Sequence, residues 1–352
     1  MDPYPNHSTN HYARNTTNST SVDLFALTLG TEKTRELLAA VVVTVTLSFL
    51  GALGNLLVML ITWPRSSVKS GLDLLIFHFV GANFFMLLVN IPVGVLMIAA
   101  KQWGYKAPIH TCAVVQTIFG TGWSAINWMD AALAINRFIA LFFPHTYRIW
   151  TSKAITWGTV IFTWLISLAT NIPLAFNIGG RMVLLPLGYC AALTSKDNVD
   201  TALTTLKFYL PYALTGVAAV ILLFKTYFGM KSRNRITQRD GRSFVAVVRR
   251  FRMARMVLLV FLWTGVCVLP GNIVSVSFAY VFTQNPVSGL WLRTCLVLQY
   301  GFTPCILLLT NAEYRVRCRR LLGKLSDCTC RAVTDAPPTS NKHHSRDRTL
   351  PT

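Results

Sequence analysis

The sequence predicts an all-α membrane protein, a seven-transmembrane helix bundle with a short amphipathic inner helix, and three observations carry that prediction. The 352-residue chain is 53% hydrophobic and only 13% charged, too apolar for a soluble protein of this length. Seven segments, at 38–63, 72–99, 110–142, 153–176, 203–228, 252–282 and 290–311, reach the roughly 20 apolar residues that a helix needs to cross about 30 Å of hydrocarbon. Between them the basic residues are lopsided, with 23 of the 33 Lys and Arg on one side of the resulting topology, which the positive-inside rule makes the cytoplasm.

Each span carries a distinguishing mark. The first has Gly54-Asn55, and the second has Pro92 nine residues beyond Asn83. The third opens on Cys112, holds Asp130, and closes on Asn136-Arg137-Phe138, with Arg137 lying 25 residues after Cys112. The fourth has Trp164 and Pro173, the fifth Pro211, and the sixth Cys267 three residues before Pro270. The seventh has Pro304, then Asn311 and Tyr314-Arg315. Prolines 92, 173, 211, 270 and 304 each remove a backbone donor and kink their helix, which neighbouring helices tolerate in a bundle. Asn55 is a polar side chain in an apolar segment, suited to a hydrogen bond across the bundle of about 1 kcal/mol.

The segments outside the spans divide the chain further. Residues 1–37 are expected to be an extracellular N-terminus, because Asn6, Asn15 and Asn18 each begin an N-x-S/T glycosylation acceptor. They are polar, so the first span is expected to serve as its own uncleaved insertion signal. The bundle occupies 38–311, an amphipathic helix 312–325, and a disordered, phosphorylatable cytoplasmic tail 326–352. Cys112 and Cys190 both fall on the oxidising side, where a disulfide is expected. Cys328 and Cys330 follow the amphipathic basic segment, a context open either to palmitoylation or to two unmodified thiols. The net charge of +20 is read as attraction to anionic lipid headgroups, about 1 kcal/mol per basic residue near the surface, and not as nucleic-acid binding.

In order and spacing these marks resemble the class A, rhodopsin-like G-protein-coupled receptors, over about residues 38–325. The resemblance implies a plasma-membrane receptor with its N-terminus outside, an extracellular ligand, a heterotrimeric G protein, arrestin and receptor kinases as partners, and no cofactor. It implies that Arg137 is held between spans three and six at rest and is released to the G protein, which would dock on the basic start of span six at Arg249 and Arg250, within an inner loop of 229–255. Pro304 would act as a hinge. Several positions depart from the family pattern. Asn83 stands where most members carry a sodium-binding acid, so sodium regulation is expected to be weak or absent. Val268 replaces a tryptophan, Ala219 a tyrosine, Thr303 an asparagine and Leu307 a tyrosine. Asn136 precedes Arg137 in place of an acid and cannot ion-pair with it, which predicts raised basal activity.

Asp130 is the one charge deep within a span, and such groups normally face the interior and have a partner. Two readings are open: it pairs with Asn83, Thr303 or Arg137 in an interior polar network that includes Asn55, or it is a protonated acid with one local hydrogen bond. Phe119 occupies the position where amine receptors carry an aspartate, so an aminergic ligand is disfavoured. Gln116, Phe119 and Trp123 are pocket candidates, and each suits ordinary packing equally well. Basic residues at the outer rim, Arg293 among them, lean toward a lipid-like, small acidic or peptide ligand. A transporter would need inverted repeats, an opsin a lysine within 290–311, and an enzyme a nucleophile–base pair or metal-ligand spacing; none is found. The serious rival is a receptor of the same fold that has ceased to signal and acts as a decoy or scaffold.

Overall fold

A computed structural model of the chain describes residues 31–63, 71–105, 109–184, 187–195, 197–233, 241–278, 281, 285 and 287–334. Asn6, Asn15 and Asn18 lie outside the described residues. Among those described, seven helical spans are long and apolar enough to cross a membrane: Lys33–Thr62, Gly71–Gln102, Thr111–Phe142, Lys153–Ala175, Asn198–Lys225, Arg255–Val274 and Ser288–Thr310. They are numbered one to seven here. Their ends are called the disulfide end, where Cys112 lies, and the basic end, where Arg137 lies. Span one packs on two and seven, three on two, four and five, and six on five and seven. Leu50, Leu165, Phe224 and Leu309 stand exposed on the bundle's outside, as apolar side chains can where the solvent is lipid. Inside, Phe79, Met86, Ile126, Met129 and Tyr300 form the main core of spans two, three and seven.

Proline chemistry shapes the spans. Immediately before Pro92 the chain makes a π-helical turn at Met86–Asn90, and Ile91 N–H donates to Met86 O, five residues back. Thr205–Tyr209 does the same before Pro211, with Leu210 N–H on Thr205 O. Because proline offers no N–H, a wider turn just ahead of it redistributes the ladder. Pro173, Pro270 and Pro304 lie within continuous helices.

Small residues set the closest approach. A Cβ on Gly51 would stand 2.7 Å from the Gly301 Cα, so spans one and seven touch backbone to backbone, as small residues permit in membranes.

Three features add to the sequence expectation. The helical bundle carries one short hairpin in a loop: β1 (Gly180–Leu184) and β2 (Cys190–Thr194) pair antiparallel between spans four and five, Gly180 with Thr194 and Leu184 with Cys190. Gly179 at φ 74° and Gly188 at φ 95° supply the left-handed turns on either side of β1. The inner loop expected at 229–255 is mostly helix, since one helix runs to Arg233 and the next begins at Gly241. Residues 241–255 contain no proline to break the helical ladder there. Finally, the helix expected at 312–325 runs Ala312–Thr334, nine residues into the segment expected to be disordered.

Candidate functional site

At the basic end Arg137 is 6% exposed and Asn136 is likewise buried. Asn136 Oδ1 accepts from Tyr147 Oη at 3.4 Å, so the residue that replaces the family's acid is tied to the short helix Pro144–Trp150. Phe138 stacks on Phe142 at 4.4 Å, and Lys225 Nζ from span five sits 3.5 Å above the Phe142 ring. Arg249 and Arg250 fall within the helix Gly241–Ser277; their side chains, and those of Cys328 and Cys330, lie outside the described residues.

An acid outside the motif also lies at this end. Asp73, in the first turn of span two, accepts from Tyr314 Oη at 3.0 Å through Oδ1 and pairs with Arg317 Nη1 at 3.3 Å through Oδ2. Arg317 also pairs with Glu313, one turn earlier. Burial pushes the Tyr314 phenol well above its ordinary range and the Asp73 charge adds to that, while Arg137 opposes it. Burial works against charged Arg317, yet Asp73 and Glu313 together hold it above its usual value. The terminal helix is thereby clamped to span two beside Arg137. Asn311 positions it: extended at the end of span seven, Asn311 accepts from Glu313 N–H at 3.0 Å through Oδ1 and caps the new helix. The available sequence signal was an acid in the first turn of a span, where carboxylates suit the helix dipole.

In the middle of the bundle, side chains supply the donors that prolines remove. Pro304 leaves the carbonyl of Tyr300, four residues back, without its ladder partner. Asn55 Nδ2 donates to it at 3.1 Å while also reaching Gly51 O at 2.8 Å. Pro211 likewise frees carbonyls in the preceding turn, and Trp128 Nε1 donates to Leu206 O at 3.1 Å. Thr303 donates to Gln299 O at 3.0 Å, within its own helix. Asn83 is fully buried, and its amide has no hydrogen-bond partner among the described residues.

Asp130 does not join Asn83 or Thr303. It lines a small cavity with Asn127, Tyr212, Thr215, Phe261 and Thr264, facing spans five and six. Neighbours on a helix lie about 100° apart, so with Met129 turned to the span-two core, Asp130 turns away from it. Ala134, one turn on, packs with Ala218, Ala219 and Leu222 of span five on the same side. Of the expected network, Asn55 alone bridges two spans through a hydrogen bond among the described residues.

At the disulfide end, Cys112 and Cys190 are bonded, with Cα atoms 5.3 Å apart, which fastens β2 to the start of span three. The segment before Cys190 folds over the bundle mouth: Leu187 and Tyr189 are buried against Leu37, Ile98, Val287 and Leu290. Beneath it Arg293 of span seven donates from Nη2 to Cys190 O at 2.7 Å. Its guanidinium lies 4.9 Å from the Tyr189 ring and 5.4 Å from the Phe119 ring. No carboxylate among the described residues pairs with it. Burial raises the Tyr189 phenol, and the Arg293 charge partly offsets the rise. Of the pocket candidates, Phe119 therefore adjoins Arg293. Trp123 instead lies deeper, stacked on Phe208 at 5.5 Å in a cluster with Cys267 and Val268. Gln116 is half-buried on the same stretch of span three. The sequence marks Arg293 only as one of several rim charges; its position beside two aromatic rings is a tertiary fact.

Comparison with known proteins places this arrangement. Residues 54–306 match the family described as 7 transmembrane receptor (rhodopsin family), and the chain belongs to that family. It is similar to the human C-C chemokine receptor type 9, 25% identical over 52% of this chain and 50% of the relative. It is also similar to the Galanin-like G-protein coupled receptor npr-9 of Caenorhabditis elegans, 21% identical over 63% and 57%. The chain thus spans about half the length of the curated relatives it matches. Squid rhodopsin shares the fold at a TM-score of 0.68 and 17% identity, covering 82% of this chain and 86% of the other. The protein is a multi-pass membrane receptor of the rhodopsin-like class and not an enzyme.

Proposed function

We propose that this receptor carries the signal of an extracellular, non-aminergic, carboxylate-bearing ligand to a heterotrimeric G protein from the plasma membrane, with its N-terminus outside. The observation that carries the ligand class is Arg293: a guanidinium at the bundle mouth, held by one carbonyl and two aromatic faces, with no carboxylate partner among the described residues. A buried charge lacking its counter-ion costs several kcal/mol, and an anionic ligand group would supply the counter-ion through a bidentate contact. The chemokine and galanin-like receptor names among the relatives favour a peptide over a lipid acid. At the other end Arg137, Arg249 and Arg250 meet the G protein, with arrestin and receptor kinases acting on the tail. Asn83, a neutral amide, leaves sodium regulation weak or absent.

The test is a panel of acidic peptides and lipid acids read by mini-G-protein recruitment. A hit should lose at least tenfold in potency on Arg293→Gln; equal potency on both receptors overturns the carboxylate reading. Val268, Thr303 and Leu307 at altered switch positions favour a second reading, a non-signalling decoy, which would bind such a ligand and recruit no G protein of any subtype.

A further inference from the structure

The cavity that Asp130 lines with Asn127, Tyr212, Thr215, Phe261 and Thr264 measures about 10 Å³, the room that one water molecule needs. It lies deep in lipid. Asp130 is 19 residues past Thr111 and 12 before Phe142 on span three, about 29 Å and 18 Å along the axis. Spans five and six close tightly around it: Tyr212 stacks on Phe261 at 4.7 Å, and a Cβ on Gly265 would stand 2.6 Å from Tyr212 Oη. Toward the basic end, Ala134, Ala218, Ala219, Leu222 and Val257 form an apolar layer.

The polar groups on the wall are chiefly oxygens. Asp130 is 8% exposed and Thr264 6%, and neither hydrogen-bonds to a described residue. Thr163, Thr170 and Thr303 each donate to a carbonyl three or four residues back, the ordinary way for a helical threonine to satisfy its hydroxyl in lipid. Thr264 forgoes that bond. Thr215 has committed its one proton to Pro211 O at 2.9 Å, so toward the cavity it can only accept. No Lys, Arg or His lines the wall, and no ion pair among the described residues includes Asp130. The other titratable groups nearby are Tyr212 of span five and Cys267 of span six, which packs with Tyr212; both are neutral near pH 7. Arg137 stands two turns away on span three.

That wall selects a neutral acid. An ionised carboxylate in hydrocarbon with no cation beside it is costly, and such a group takes up a proton instead. A protonated Asp130 donates from one oxygen. One water can accept that bond, donate to Thr215 and share a second bond with Thr264, which joins spans three, five and six.

We propose that the cavity is a site for one water and one proton, that the proton rests on Asp130, and that the resulting bridge latches span six to spans three and five. Val257, Phe261 and Thr264 all belong to span six, so displacement of that span parts the apolar layer and the bridge together. Water then reaches the carboxyl; its O–H bond breaks, the electron pair stays on the carboxylate, and the proton passes to water as hydronium. The closed state holds one proton more than the open state, so low pH favours closed and high pH favours open, by up to about tenfold in the equilibrium per pH unit. Only the consequence for signalling rests on the function proposed above.

The experiment uses the full chain in nanodiscs. Infrared spectra at pH 7 should show a protonated-carboxyl C=O band that Asp130→Asn removes; absence of that band in the native chain overturns the proposal. Asp130→Ala serves if Asp130→Asn fails to fold. Spin labels at the inner ends of spans two and six read the opening with no G protein present. The open fraction should rise at least threefold from pH 6 to pH 8 in the native chain and stay low and flat in Asp130→Asn. Thr264→Val, which removes one arm of the bridge and leaves the acid, should raise the open fraction at pH 6 and keep the band. Opening that ignores pH in the native chain, or that still follows pH in Asp130→Asn, overturns the latch. Loss of the band when sodium replaces choline would assign a bound cation and overturn it equally. Mini-G-protein recruitment by the same samples separates the two readings: pH-dependent opening without recruitment keeps the latch and ends the signalling reading, and recruitment with pH-independent opening does the reverse.

Discussion

Asn55 shows how one side chain can be required by a residue 249 positions away. Pro304 frees the Tyr300 carbonyl, and the Asn55 amide occupies it. Asn55→Leu keeps the volume and removes the donor, so a buried carbonyl is left unpaired at a cost of about 1–3 kcal/mol. The purified variant should melt several degrees lower, and an unchanged melting temperature would show that the bond carries no weight. Asp73 is the other single residue with long reach. Asp73→Asn, Arg317→Gln and the double variant form a cycle whose coupling should exceed about 0.5 kcal/mol in thermal unfolding. Strictly additive effects would mean the pair is a surface contact of the kind that contributes little.

Among the elements, the contact between spans one and seven depends on the absence of side chains. Gly51 has Gly301 Cα and Leu87 Cδ1 within 3.0 Å of where its Cβ would be. Backbone cannot yield as a side-chain tip can, so Gly51→Val should separate the two spans and cost at least the 1–3 kcal/mol of an overpacked core. The measurement is surface expression together with melting temperature; Gly158→Val, where nothing lies within 4 Å, is the control and should match the wild type. The β1–β2 hairpin is an element of another kind. Bonded to span three through Cys112–Cys190, it carries the Cys190 carbonyl that holds Arg293 and the Tyr189 ring that shields it, so the disulfide orients the proposed ligand site.

For the whole molecule, the question is how firmly the resting state is held. Arg137 has Asn136 as its neighbour, and Asn136 is already engaged by Tyr147, so the usual acid partner within the motif is missing. Basal second-messenger output should therefore exceed that of mock-transfected cells, and Asn136→Asp, which restores a charge beside Arg137, should lower it by twofold or more. Output at the mock level in the native receptor would contradict the loosened resting state. Asp73, Tyr314 and Arg317 pull the other way, because they fix the terminal helix against span two next to Arg137.

The seven spans, the disulfide partners and the family were legible in the sequence because each depends on local or single-residue chemistry. Apolar run length sets a span, an oxidising face permits a disulfide, and fixed intervals between Cys112, Arg137, Pro270 and Pro304 carry the likeness. The hairpin was not legible, since Gly180–Leu184 and Cys190–Thr194 become strands only by pairing with each other. Nor was the direction of Asp130: the position one residue earlier, Met129, faces span two, and a single 100° step along the helix turns the carboxylate to spans five and six. Arg293 and Asp73 read as ordinary charges until the bundle sets one between aromatic rings and the other against Tyr314 and Arg317. The sequence by itself determined which segments enter the membrane, because transfer into lipid sums over each residue of a segment. Only the tertiary structure decided which polar groups meet, because in lipid each must find its partner on another helix, and helix rotation and proline-induced turns choose that partner.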